Sequence, residues 1–379
     1  MRVSKVEVFK HWVQWRNWVL VRVSTDEGLY GWGEASIPGS VESVDAAIQS
    51  IASSYLIGRD PAGIEAHWHG MHHAWRWKGG PILLTAVSAL EGALWDIEGK
   101  RLGVPVYRLL GGPIRDRIRV YASHWIHHAQ TLDDVAAEAR EAVRRGFTAF
   151  KWSPFPRHAY RGDEARVIAE GRERMAAARE AVGPNVDIMI ECGEGFTPRA
   201  ALLAARAVEE YKPFWIEEPI PRENPRALAE LKRQFPLPIA TGENLLTRWE
   251  FREVLESSAA DVIQPDLVHA GGVTEVRKIA ALADTYYVPV APHNSGGPIA
   301  TLMSLHLVAS IPNFLILEQM EEERELRAAA STDPLVFEDG YLKLPTGPGW
   351  GTDLNLEALA DYPYKVHPAS GRQVPPHYA

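Results

Sequence analysis

Apolar positions change rhythm about a third of the way along the chain. From about Ile118 onward, short apolar runs alternate with longer stretches whose apolar residues recur every three or four positions. The runs RVYAS, TAFKWS, VDIMIE, PFWIEE, PIATGE, DVIQPD, VPVAPH and FLILEQ read as strands. Between them lie TLDDVAAEAREAVRRG, EARVIAEGRERMAAAREAVG, PRAALLAARAVEEY, NPRALAELKRQF, TRWEFREVLESS, GGVTEVRKIAALADTY and GPIATLMSLHLVASI, which read as helices. Eight strands and seven helices in strict alternation predict a parallel barrel of the (β/α)8 type. An open doubly wound sheet is the rival. It is the weaker reading, because no Gly-rich phosphate fingerprint follows any of the strands.

The first third differs. VEVFKHWVQWRNWVLVRVSTDEGLYGWGEAS (6–36) reads as strands around turns, with TDEG as a hairpin signal. GGPILLTAVSALEGALWDIEGKRLG (79–103) carries helical periodicity up to a glycine stop. The predicted organisation is an N-terminal α+β unit over 1–117 and a barrel over 118–320. A turn-rich segment, 321–379, folds back on the first unit.

Composition adds mainly exclusions. The 379 residues are 46% hydrophobic and 23% charged, an ordinary globular balance. A net charge of −9, with acids and bases interspersed, argues against a nucleic-acid surface. Cys192 is the single cysteine, so no intrachain disulfide forms, in keeping with a reducing compartment. MRVSKVEVFK has no apolar core of signal-peptide length, and no run approaches a membrane span. The expectation is a soluble cytoplasmic protein that contacts neither membrane nor nucleic acid. Thirteen tryptophans suit packing, an aromatic-lined pocket or an oligomer interface.

The polar residues that close the strands change the picture most. They are Lys151, Glu191, Glu217, Glu243, Asp266, His293 and Glu318, and from Glu191 on they are spaced 26, 26, 23, 27 and 25 residues apart. Each step is one strand plus one helix, so successive strands deliver one ionisable group each to the C-terminal mouth, where barrel active sites sit. One acid at a strand end is ordinarily a cap or an ion-pair partner; a run of six is a site. Glu191, Glu217 and Glu243 converge from neighbouring strands. Three close anions repel unless a cation joins them, and carboxylates with water suit Mg²⁺. Sulfur and multiple-histidine ligation are absent, which disfavours Zn²⁺. Glu218 is expected on the other face, as a structural ion-pair partner. Asp266 and His293 on adjacent strands form a dyad in which the carboxylate fixes the imidazole tautomer. Lys151 places positive charge opposite the histidine.

Together GWGE (31–34), ALWDIEGKRLGVPVYRLLGG (93–112), WIEEP (215–219), TGEN (241–244), QPD (264–266), GGVTE (271–275), APHN (291–294) and LEQ (317–319) resemble the enolase superfamily, in its mandelate racemase/muconate lactonizing enzyme family. The resemblance covers nearly the whole chain. It implies an α+β capping domain over a modified (β/α)7β barrel. It also implies Mg²⁺ on Glu191, Glu217 and Glu243, a His293–Asp266 dyad, and Glu318 bonded at the substrate carboxylate region. The shared chemistry is removal of the proton α to a carboxylate, giving a metal-stabilised enediolate. Segments 224–256 and 291–319 are most similar to acid-sugar dehydratases related to galactonate dehydratase.

Two positions depart from that pattern. Many such dehydratases have a histidine proton donor two residues after the first metal ligand; here it is Gly193. Many racemases have a second lysine two residues after the first; here it is Ser153. Two-base racemisation is therefore disfavoured. Dehydration with His293 acting twice predicts syn elimination to a 2-keto-3-deoxy acid, with Glu194 as another acid candidate. The rivals are a cycloisomerase or epimerase of a sugar acid or its lactone, and a sugar-acid-binding homologue without turnover. Cys192 is read as packing. Trp15, Trp77 and Lys78 in the cap, and Ser153, His124, His158, Tyr160 and Arg161 after the first two barrel strands, are candidates for contact with the sugar. Packing or solvated surface is the alternative for each. The family resemblance also predicts a homo-oligomer.

Overall fold

The computed structural model describes residues 1–74, 76–126, 129–155 and 163–367. Its first unit is an antiparallel meander, β1 (Val3–Val13), β2 (Arg16–Thr25) and β3 (Tyr30–Glu34), followed by α1 (Val41–Ile51), α2 (Ile64–His73), α3 (Pro81–Leu102) and α4 (Val106–Leu109). The GWGE strand lies directly on α3. A Cβ at Gly31 would stand 2.2 Å from the Ala93 carbonyl, and one at Gly33 only 1.8 Å from that of Ala89, so only glycine permits this approach.

The second unit alternates as the periodicity predicts. It runs β4 (Arg117–Ser123), α5 (Leu132–Arg144), β5 (Ala149–Trp152), α6 (Glu164–Val182), β6 (Asp187–Glu191), α7 (Pro198–Val208), β7 (Trp215–Glu217), α8 (Pro225–Lys232), β8 (Ile239–Thr241), α9 (Thr247–Glu256), β9 (Val262–Ile263), α10 (Gly272–Asp284), α11 (Pro298–Val308) and β10 (Leu317–Met320). Neighbouring strands pair in parallel from β4 to β9, and β10 closes the ring on β4 with Leu317 opposite Val120. This is a TIM-type barrel with a capping unit.

The expected strand VPVAPH shrinks to single bridges of Val290 with Ile263 and with Phe314. Proline has no N–H for a ladder, and Pro289 and Pro292 bracket this stave. Beyond β10 come α12 (Arg324–Ala329), β11 (Phe337–Glu338) and β12 (Tyr341–Lys343). This last segment touches both units. β12 pairs antiparallel with the start of β4, while Trp350 Nε1 donates to the Trp32 carbonyl of the cap at 2.7 Å. No described helix is long and apolar enough to cross a membrane.

Candidate active site

A period of two along the barrel strands builds the mouth. Ala149, Met189, Trp215, Ala291 and Ile316 belong to one buried apolar layer inside the barrel. Two residues further along their staves stand Lys151, Glu191, Glu217, His293 and Glu318. Residues i and i+2 share a face, so these side chains enter the same interior one layer nearer the C-terminal end. Glu243 and Asp266 follow the ends of β8 and β9.

Each of Glu191, Glu217 and Glu243 offers an oxygen, and the three oxygens lie within 4.8 Å of one another. Glu217 is fully buried; its Oε2 accepts from Trp215 Nε1 at 2.9 Å and from Gln264 Nε2 at 2.7 Å. Burial pushes the Glu217 carboxyl up to about 8, against the pull of Lys151 and with a further push from Glu191. Glu191 is raised by burial as well. An all-oxygen set of three carboxylates whose charge the surroundings resist fits a hard divalent cation. Glu191, Glu217 and Glu243 would hold it.

On the other side, His293 Nδ1 donates to Asp266 Oδ2 at 2.6 Å. Its Nε2 is left facing Glu243 Oε2 at 3.6 Å and Glu318 Oε2 at 3.8 Å. Burial disfavours the imidazolium, but Glu243, Glu318 and Asp266 outweigh burial and lift the ring to about 10. Glu318 is held well below the usual carboxylate range. Burial raises it, and Lys151, His293, the Ser123 hydroxyl and the Asn294 N–H, at 2.8 Å, overcome that effect. Lys151 links the two sides. Its ammonium touches Glu217, reaches Glu318 at 3.3 Å and Glu191 at 3.5 Å, and is raised well above its ordinary value by these carboxylates against the cost of burial.

The remaining candidates are placed differently. Ser153 Oγ donates to the Phe155 carbonyl at 3.1 Å. Trp77 is 85% exposed, and Lys78 Nζ lies 2.7 Å from His73 Nδ1 on the cap surface. His124 follows the first barrel stave at φ +50; its ring stacks on Trp15 with centroids 5.5 Å apart and sits 3.7 Å from Glu322. Burial lowers His124 to about 4, which keeps it neutral at physiological pH. His158, Tyr160 and Arg161 lie outside the described residues. Glu194 is paired with Arg222 at 2.8 Å. Cys192 packs against the core between strands and helices. Glu218 was expected in an ion pair, but its bonds come from neutral donors, Thr241 Oγ1 at 2.8 Å and Gly242 N at 2.7 Å, and burial raises it to about 8. The backbone at Glu218 turns to φ +44, and its carboxylate lies beside Thr241, which alternates with the inward-facing Ala240.

Sequence reasoning missed Gln264 and Ser123, which bond Glu217 and Glu318. The same period of two marks Gln264, two residues past the inward-facing Val262. It marks Ser123 as well, two past the inward-facing Tyr121.

Fold and mouth together define a TIM-barrel enzyme with a capping domain, whose carboxylate triad is able to bind a metal and faces a His–Asp dyad. The family described as mandelate racemase/muconate lactonizing enzyme, N-terminal domain, matches residues 3–111. The one described as enolase C-terminal domain-like matches residues 134–359. A D-galactonate dehydratase of Ralstonia nicotianae is 38% identical over 348 residues, 90% of each chain. The mandelate racemase/muconate lactonizing enzyme of Jannaschia sp. is 34% identical with a TM-score of 0.90, covering 96% of this chain and 98% of that one. An enolase from Agrobacterium radiobacter, solved with Na and L-malate bound, is 32% identical with a TM-score of 0.89, covering 100% and 98%. The chain belongs to the enolase superfamily, in the mandelate racemase/muconate lactonizing enzyme family, and is a lyase of the hydro-lyase kind.

Proposed function

We propose that this enzyme dehydrates an acid sugar, an aldonate or aldarate, to a 2-keto-3-deoxy acid with Mg²⁺ as cofactor. The observation that carries the reading is the orientation of His293: Nδ1 is tied to Asp266 and Nε2 faces the triad and Glu318. Its relatives named D-galactonate dehydratase make an aldonate the first substrate class to try. A divalent cation on the triad would neutralise the substrate carboxylate and favour the charge that develops there when the α-proton leaves.

The side chains supply the rest. In its neutral form, which a cation offsetting the charge of Glu243 would favour, and oriented by Asp266, His293 takes the α-proton on Nε2, and the C–H electrons move into the carboxylate to give an enediolate. Lys151 places a fixed positive charge beside that carboxylate in a water-poor setting. The enediolate then expels the β-hydroxyl, which takes the proton back from His293 Nε2 and leaves as water. The resulting enol tautomerises to the keto acid. Gly193 offers no proton donor beside the first metal ligand, so one histidine serving both steps gives syn elimination.

The test is a screen of mono- and diacid sugars, D-galactonate included, with Mg²⁺ and a His293→Asn control. Keto acid formed by wild type and lost in the control and after chelation supports the reading. Isomerisation without loss of water would replace it by a cycloisomerase or epimerase. Tight binding without turnover or α-proton exchange would replace it by a binding protein.

A further inference from the structure

A buried ionic cluster outside the triad and the dyad joins the cap to the loop that carries His293. Arg16 opens β2, Glu323 lies just after β10, and Arg327 lies in α12; all three are buried. Arg16 grips both oxygens of Glu323, with Nη1–Oε1 at 2.5 Å and Nη2–Oε2 at 3.0 Å. Arg327 Nη2 donates to Glu323 Oε2 at 3.2 Å. Both guanidiniums then converge on one turn. Arg16 Nη2 donates to the Gly296 carbonyl at 3.0 Å, and Arg327 donates to the same carbonyl and to that of Gly297, the latter at 2.8 Å.

From that turn the bonds run into the site. Arg327 Nη1 donates to Thr301 Oγ1 at 2.8 Å, and Thr301 Oγ1 accepts from Asn294 Nδ2 at 2.9 Å. Asn294 is the neighbour of His293, and its backbone N–H and side-chain amide both bond Glu318, at 2.8 and 3.0 Å. A third anchor comes from the cap: Glu34 accepts from Gly297 N and, at 2.9 Å, from Ala300 N.

Stability is a poor explanation for this arrangement. Desolvating three charges costs several kcal/mol each, and well-packed apolar residues often serve a fold as well. The turn itself supplies little rigidity, since two consecutive glycines leave its backbone free in the unanchored state. What the cluster does provide is fixed direction, because a guanidinium fork bonds only in one plane.

We propose that the Arg16–Glu323–Arg327 cluster is the positioning device for His293 and Glu318, coupling the seating of the cap hairpin to the geometry of the base. The inference rests on the reading of His293 as the base. None of the three residues touches substrate in this role; each acts through the Gly296–Gly297 turn and Asn294. Displacement of a reacting group by about 1 Å costs on the order of 100-fold in rate.

The experiment compares wild type with Arg16→Met, Arg16→Lys and Glu323→Gln, all with Mg²⁺ present. Amide exchange is read on the peptide covering 291–303. The His293 ring N–H bonded to Asp266 is read by proton NMR, and kcat and KM are read on the acid sugar that wild type converts. In Arg16→Met, exchange of that peptide is expected to accelerate about tenfold or more. The ring resonance should shift or broaden, and kcat should fall on the order of 100-fold with KM moved much less. Arg16→Lys, which keeps charge but not the fork, should fall between. If Arg16→Met does not fold, the other two variants decide. Unchanged exchange and an unchanged ring resonance in folded variants overturn the proposal, even where thermal stability drops. Failure of the base assignment shows separately, as α-proton exchange that survives His293→Asn, while peptide exchange still reports on the cluster.

Discussion

His293 Nδ1 stands 2.6 Å from Asp266 Oδ2, a contact between residues 27 apart in sequence on neighbouring staves. The carboxylate leaves Nε2 as the only ring nitrogen able to accept a proton. Asp266→Asn replaces that acceptor by an amide that can donate to Nδ1, and the ring proton then moves to Nε2. The expected result is a loss of about 10²–10⁴ in kcat with Mg²⁺ affinity kept. Steady-state kinetics beside calorimetric Mg²⁺ titration checks it.

Metal binding should appear as stability. Mg²⁺ at about 100 times its dissociation constant should add about 2.7 kcal/mol, read as a rise in Tm that chelation reverses. Glu243→Gln removes one ligand of the triad while leaving the buried Glu217 in place, and should shrink the Mg²⁺-induced rise.

Lys151 supports two buried carboxylates, Glu217 and Glu318. Lys151→Met strands both. We expect a loss of about 3–5 kcal/mol in the metal-free protein, measured by denaturant unfolding, because uncompensated buried charge is the costly case. Part of that loss should return with Mg²⁺, which restores positive charge beside Glu217.

A different histidine should contribute to acid sensitivity. His306 is fully buried between cap and barrel; its Nδ1 accepts from Tyr107 N and its Nε2 donates to the Trp350 carbonyl, both at 3.1 Å. Burial lowers it from 6.5 to about 4. Above pH 6.5 the ring is neutral in both folded and unfolded chains, and its contribution is fully present. As pH falls from 6.5 toward 4 the unfolded chain takes up a proton that the folded one refuses, so stability declines by up to about 1.4 kcal/mol per pH unit from this residue. His306→Gln should flatten that part of the stability–pH curve, measured by urea unfolding at fixed pH values.

Gly193 sits at φ +57, and a Cβ there would meet only Glu191 Oε1, at 3.7 Å. The space for a side chain exists, but the backbone conformation penalises one. Gly193→His should remain folded and bind Mg²⁺ while losing about 1 kcal/mol, seen as a lower denaturant midpoint with an unchanged slope.

The sequence by itself determined the barrel and its chemical ring. Strand and helix periods are local, and a repeat of one strand plus one helix forces each strand-end group to the same mouth. That is why Glu191, Glu217, Glu243, Asp266, His293 and Glu318 were readable without coordinates as groups gathered at one mouth. Tertiary structure decided what depends on long-range contact or on unusual backbone angles. Arg16 and Glu323 are 307 residues apart, and no local period links them. Glu218 bonds Thr241 and Gly242, neutral donors on the next stave that no local period pairs with it. Trp77, Lys78 and His124 lie in or beside loops between the regular elements, where residue type permits several positions and only packing selects one. His124 rests on Trp15 because the cap hairpin closes over the first stave, a contact set by the docking of two units and not by either segment alone.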